Sequence, residues 1–213
     1  MNASVLRTIA ILLAAAVALA LAAAPAPAAA KRARCGVKHS KTVAKDAQVR
    51  LYVVRDDEGN RVLHGCWRAT GRKLRIAAEY DDDYVTSGAY RDVVLAGRFV
   101  AFVFEATDVS CKAACPPDYD ATRVQVTVRD VKRRRSRFTL SDAAPRSLRL
   151  SSAGVAAWLA PVTGGAELRA IDAGGLGRLV DTGAIDAASL TLRGVRLDWL
   201  NAVTPKRADL TPF

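Results

Sequence analysis

Two charged runs and four cysteines are where the side-chain types and spacing of this chain point to chemistry. The basic run is Lys132, Arg133, Arg134, Arg135 and Arg137, interrupted only by Ser136. Guanidinium forks match the geometry of carboxylate and phosphate, so this run suits an anion. No aromatic residue interleaves it, which makes it a weak nucleic-acid signal, and no specific nucleic acid is expected as a partner. The acidic run is Glu79, Tyr80, Asp81, Asp82, Asp83 and Tyr84. Adjacent carboxylates flanked by tyrosines suit a cation or a sugar. The glycine and distal glutamate of an EF-hand loop are absent, however, and successive residues of an extended chain point in different directions. A solvated loop is the simpler reading, and no metal or cofactor is assigned. The basic run likewise falls where a hairpin turn is expected, and a turn must be solvated whatever it does. Arg133, Arg134, Arg135 and Arg137, with Asp81, Asp82, Asp83 and Tyr84, define the candidate binding surface.

The cysteines are Cys35, Cys66, Cys111 and Cys115. An even count in an exported chain favours disulfides, and four cysteines allow three connectivities. Cys111 and Cys115 flank a three-residue loop followed by Pro116 and Pro117, which fits a local clip if the turn brings the Cα atoms within about 7 Å. That pairing leaves Cys35 and Cys66 to tie the start of the mature chain to the first hairpin. The spacing lacks the Cys-x-x-Cys knuckles of common zinc sites. For nucleophilic catalysis a serine or cysteine needs a nearby base, and the chain offers only His39 and His64. No Gly-x-Ser-x-Gly elbow is present. No catalytic residue is assigned, and a binding role is favoured over an enzymatic one.

Export is expected from residues 1–30. Arg7 supplies a positive start, an uncharged apolar stretch follows to Ala24, Pro25 and Pro27 break it, and Ala28, Ala29 and Ala30 offer a small-residue cleavage site. This reads as a signal helix removed before Lys31, leaving one domain, 31–213. A membrane would be a partner only if the leader were retained. The whole chain carries 32 Lys and Arg against 21 Asp and Glu, a net charge of +11. Such a balance invites an anionic partner such as a wall polymer, although charge scattered over a surface also serves solubility alone.

The elements that must position these groups are strands. Val49, Leu51 and Val53 alternate with polar residues, a turn follows at 56–60, residues 61–68 return, and Leu74 and Ile76 mark a third strand. This predicts a three-stranded meander. Val93, Leu95, Gly97, Val100 and Phe102 then share their spacing with Leu190, Leu192, Gly194, Leu197 and Trp199. Leu148, Leu150, Gly154 and Trp158 fit as a third copy with a longer turn. Each copy predicts a strand, a glycine turn and a second strand carrying an aromatic. A second hairpin follows two of the copies: Val124, Val126 and Val128 precede Phe138 and Leu140, and residues 168–172 precede a five-residue turn and 178–180. Trp158 and Trp199 are expected in the core, with Trp67 open to either role.

This unit of about forty residues has the size of a propeller blade. The motif, carried above all by residues 97–102 and 185–190, resembles secreted bacterial β-propeller repeats of the TolB-like or WD40-like type. It also resembles a group of exported proteins from GC-rich Gram-positive bacteria. The resemblance implies an all-β, propeller-like array of about four small antiparallel blades, some incomplete, after the signal helix. The first blade is expected to lack its inner strand, and one blade to carry an insertion around Cys111 and Cys115. The functional expectation is an exported, non-catalytic binding or scaffold module that contacts an anionic cell-wall polymer or another exported protein. The alternative is a secreted hydrolase whose carboxylates meet at the ring centre.

Overall fold

The alternating segments become strands, and within each sheet a strand pairs with the one before it. The computed structural model describes residues 35–82, 86–108 and 121–213, all within the unit Ala33–Phe213. The leader 1–30, Asp83, Tyr84, Cys111 and Cys115 lie outside the described residues, as does the insertion around the two cysteines. The first sheet contains β1 (Lys41–Lys45), β2 (Val49–Arg55), β3 (Arg61–Trp67) and β4 (Arg72–Ala78). The second contains β5 (Tyr80–Asp82), β6 (Thr86–Ala96), β7 (Phe99–Asp108), β8 (Thr122–Asp130) and β9 (Arg135–Ser141). The third contains β10 (Arg146–Leu150), β11 (Ala156–Val162), β12 (Gly165–Asp172) and β13 (Gly175–Gly183), and the fourth β14 (Thr191–Arg193), β15 (Arg196–Asn201) and β16 (Thr204–Asp209). All four are antiparallel meanders in sequence order. No described residue is helical, and none lies in a helix able to cross a membrane.

The glycine turns fall where the sequence repeat puts them. Gly97, Gly154 and Gly194 join β6 to β7, β10 to β11 and β14 to β15, with φ of 59°, 84° and 60°. The left-handed conformation is what makes glycine the natural residue there. The first sheet builds the same hairpin with a different device. Asp46 Oδ1 accepts hydrogen bonds from the backbone N–H of Gln48 (2.7 Å) and Val49 (2.8 Å), so an aspartate side chain shapes the β1–β2 turn. The first sheet therefore has four strands, where three were expected. The acidic run departs from its predicted loop too, because residues 80–82 form β5 and pair with β6. The β12–β13 turn is also tighter than predicted, with only Ala173 and Gly174 between the strands.

The sheets stack face to face in chain order. Val49, Leu51, Val53, Leu63 and Ile76 of the first sheet meet Tyr90, Val100 and Phe102 of the second. From the opposite face of the second sheet, Phe99, Ala101, Val103 and Val126 meet Ala156, Trp158 and Ala160 of the third. Ala157, Leu159, Leu168 and Ala170 then meet Leu197 and Trp199 of the fourth. The two middle sheets thus bury both faces. That is why β7 and β11 read as unbroken apolar runs rather than the simple alternation expected of half-buried strands. Phe102, Trp158 and Trp199 all point at the preceding sheet, and Tyr52 takes the corresponding outward place on the first sheet, where it is 2% exposed.

Between the third and fourth sheets the packing carries a polar pin. Asp181 on β13 accepts hydrogen bonds from Trp199 Nε1 (2.7 Å) and Asn201 Nδ2 (2.9 Å), and Lys206 Nζ lies 3.2 Å away. Trp158 has no solvent exposure and fills the centre of the stack, whereas Val203 is 89% exposed in the β15–β16 turn. Replacing Trp158 by Ala is expected to cost about 3–5 kcal/mol in urea unfolding. Val203→Ala is expected to stay within about 0.5 kcal/mol of the parent. Equal midpoints for the two variants would contradict this stacking.

Candidate anion-binding cleft

In a meander, alternate turns of a sheet emerge at the same end. The β6–β7 turn, holding Gly97 and Arg98, therefore lies beside the β8–β9 turn that carries the basic run. Arg98 O accepts a hydrogen bond from Val131 N at 2.9 Å and locks the two turns together. Asp130, at the end of β8 and 6% exposed, organises both. Its Oδ1 accepts from Arg133 N at 2.9 Å, and its Oδ2 lies 3.0 Å from Arg98 Nε. Arg134 takes the left-handed position of the turn, with φ of 61°.

A cavity of about 290 Å³ opens beside these turns. Its cationic lining is Arg98, Arg133, Arg135 and Arg137, its apolar wall is Phe99 and Phe213, and Asp130 is the one carboxylate side chain on it. Since Asp130 already serves Arg98 and the turn, Arg133 and Arg135 have no carboxylate partner among the described residues. Of the predicted basic residues, Arg133, Arg135 and Arg137 are thus brought together, while Arg134 does not line the cavity.

Arg137 is held in place from the far side. Its guanidinium lies 4.1 Å from the centroid of the Phe213 ring, and one of its nitrogens donates to Asp172 O at 2.9 Å. Phe213 reaches this place because residues 210–213 run across the turns. Leu210 N donates to Val195 O, Ala173 N donates to Thr211 O, and Phe213 N donates to Ala153 O. The carboxylate of Asp172, 1% exposed, anchors the crossing. It accepts from Gly174 N (2.9 Å), Thr211 N (3.0 Å) and Arg178 Nη2 (3.2 Å). Burial alone would raise its pKa, but these donors outweigh burial and hold it below the ordinary value.

Arg98 and Phe213 escaped sequence reasoning. Adjacency of alternate turns in a meander was a usable signal for Arg98. Phe213 had none, because it is placed by backbone hydrogen bonds made at residues 210, 211 and 213.

Of the acidic run, Glu79, Tyr80 and Asp81 line one cavity together with Arg61 and Glu105, while Asp83 and Tyr84 lie outside the described residues. The Glu79 carboxylate pairs with Arg61 at 2.8 Å, Tyr80 packs against Phe104 with ring centroids 6.1 Å apart, and Asp81 is an exposed residue of β5. No metal-competent cluster occurs among the described residues. His64 stacks on Tyr52 at 5.4 Å, and burial, with Arg75 and Lys73 nearby, lowers its pKa. Asp172, Asp181 and Asp198 are all shifted down despite desolvation, by donors around them. A general acid needs the opposite shift. Cys35 and Cys66 form a disulfide with Cα atoms 5.8 Å apart, and it fastens the segment before β1 over Tyr52. Closing this 31-residue separation is worth about 3–4 kcal/mol in the chain-entropy picture. No family model, curated protein or solved structure matches the chain.

Because the folded pKa of Asp172 is depressed, its stabilisation is complete above the unfolded value of 3.8 and is lost as pH falls through the folded value. Asp172→Asn is expected to cost about 2–3 kcal/mol at pH 7 and progressively less toward pH 2. A destabilisation of the same size at pH 7 and pH 2, measured by urea unfolding, would remove the carboxylate from this role.

Proposed function

We propose that this protein is an exported, non-catalytic binding module, a propeller-like array of four blades that grips an anionic cell-wall polymer in the arginine cleft. The observation that carries the reading is the convergence of Arg98, Arg133, Arg135 and Arg137 on one cavity beside Phe99 and Phe213. Four guanidinium groups beside a partly apolar wall raise the local concentration of anions, and guanidinium–anion contacts are charge-assisted hydrogen bonds. The Cys35–Cys66 disulfide supports an oxidising compartment. The leader read in residues 1–30 supplies the route there, and four successive antiparallel meanders suit the blade reading.

Co-sedimentation of the full chain with purified anionic cell walls over a salt series tests this function. Saturable binding is expected, falling steeply with salt because exposed charges are screened. The double change Arg133→Glu with Arg135→Glu is expected to weaken it at least tenfold. Wall binding insensitive to both salt and charge reversal would sink the proposal.

A further inference from the structure

We infer that the arginine cleft is one half of a two-pocket groove built for a linear polyanion, with one anionic group in each pocket. This rests on the anion-binding reading of the cleft. A second cavity of about 380 Å³ adjoins the first and shares Arg98, Phe99 and Phe213 with it. Its own members include Trp67, Lys132 and Gln48. Trp67, unlike Trp158 and Trp199, is only half-buried, packing one side on the core between the first and second sheets. Lys132 Nζ stands 5.6 Å from the centroid of its ring. A cation over an indole is held in place by the ring's charge distribution, so the second pocket has a fixed positive charge of its own.

The side-chain charge balance of the pair is one-sided. Asp130 is the sole carboxylate side chain on either lining, and it is engaged by Arg98. Lys132 on one side and Arg133 and Arg135 on the other have no carboxylate partner among the described residues. Two like-charged pockets with a common wall repel each other when empty. A single small anion relieves one of them. A chain carrying two linked anions relieves both, and it loses its translational freedom only once. Arg98, its guanidinium 4.7 Å from the centroid of the Phe99 ring, stands at the shared wall where the connecting part of such a chain would pass. The ligand class is therefore a polymer with anionic groups at short, regular spacing, phosphate or carboxylate.

Calorimetric titration of the full chain with inorganic phosphate, a short-chain polyphosphate and an oligogalacturonate separates the possibilities. At least one polymer is expected to bind more than tenfold tighter than phosphate. A gain for polyphosphate assigns phosphate groups, and a gain for oligogalacturonate assigns carboxylates. Lys132→Ala is expected to weaken polymer binding at least fivefold more than phosphate binding and to lower the salt slope by about one. Arg135→Ala is expected to weaken every anion. Phosphate binding without a gain for either polymer, or a Lys132→Ala variant that binds polymer as well as the parent, would overturn the two-pocket groove and leave the single cleft standing. Failure of all three anions to bind would overturn both.

Discussion

The carboxylate of Asp172 is almost wholly removed from water, yet three donors keep it charged, and two of them, Gly174 N and Thr211 N, are backbone groups of different segments. A buried charge of this kind is tolerated only with its lone pairs satisfied. The carboxylate therefore fixes where the chain passes after β16. From that point the segment 210–213 touches the fourth sheet at Val195, the third at Ala153 and the second at Phe99. The strands alone would stack the sheets. The segment held by Asp172 is what seats Phe213 against Arg137 and gives the arginine cleft its apolar wall.

The stack itself follows from strand composition. A sheet covered on one side needs apolar residues at alternate positions, whereas a sheet covered on both sides needs them at every position. The runs at 99–103 and 155–160 meet the second condition, and they are the central strands of the middle sheets. The outer face of the first sheet has no fifth sheet against it among the described residues. Cys35, disulfide-bonded to Cys66, covers Tyr52 there instead. Arg50 adds to this cover: it donates to Cys35 O, and its guanidinium lies 5.1 Å from the Tyr52 ring centroid.

How much of this was legible depends on how local the determinant is. The three glycine hairpins were readable because a left-handed turn demands a residue type, and the aromatic that follows keeps its spacing. The fourth hairpin was hidden because Asp46 does with a side-chain acceptor what glycine does with its backbone. The strand at 80–82 was hidden because its residues are polar and its pairing is the sole sign of order. At the cleft, the run at 132–137 announced the cations but not their convergence. Arg98 joins through the meander, Lys132 is aimed by a tryptophan from another sheet, and Phe213 arrives through contacts that no pattern in the sequence encodes.

The cleft depends on a segment anchored outside it, and the affinity of an Asp172→Asn variant for short-chain polyphosphate is the measurement that probes this dependence. Asp172 contributes no side chain to the cavity lining, so a merely additive collection of surface arginines would not notice the change. A folded Asp172→Asn protein is expected to bind polyphosphate several-fold more weakly while its amides at 211 and 213 exchange faster. Faster exchange at those amides with undiminished affinity would contradict this dependence.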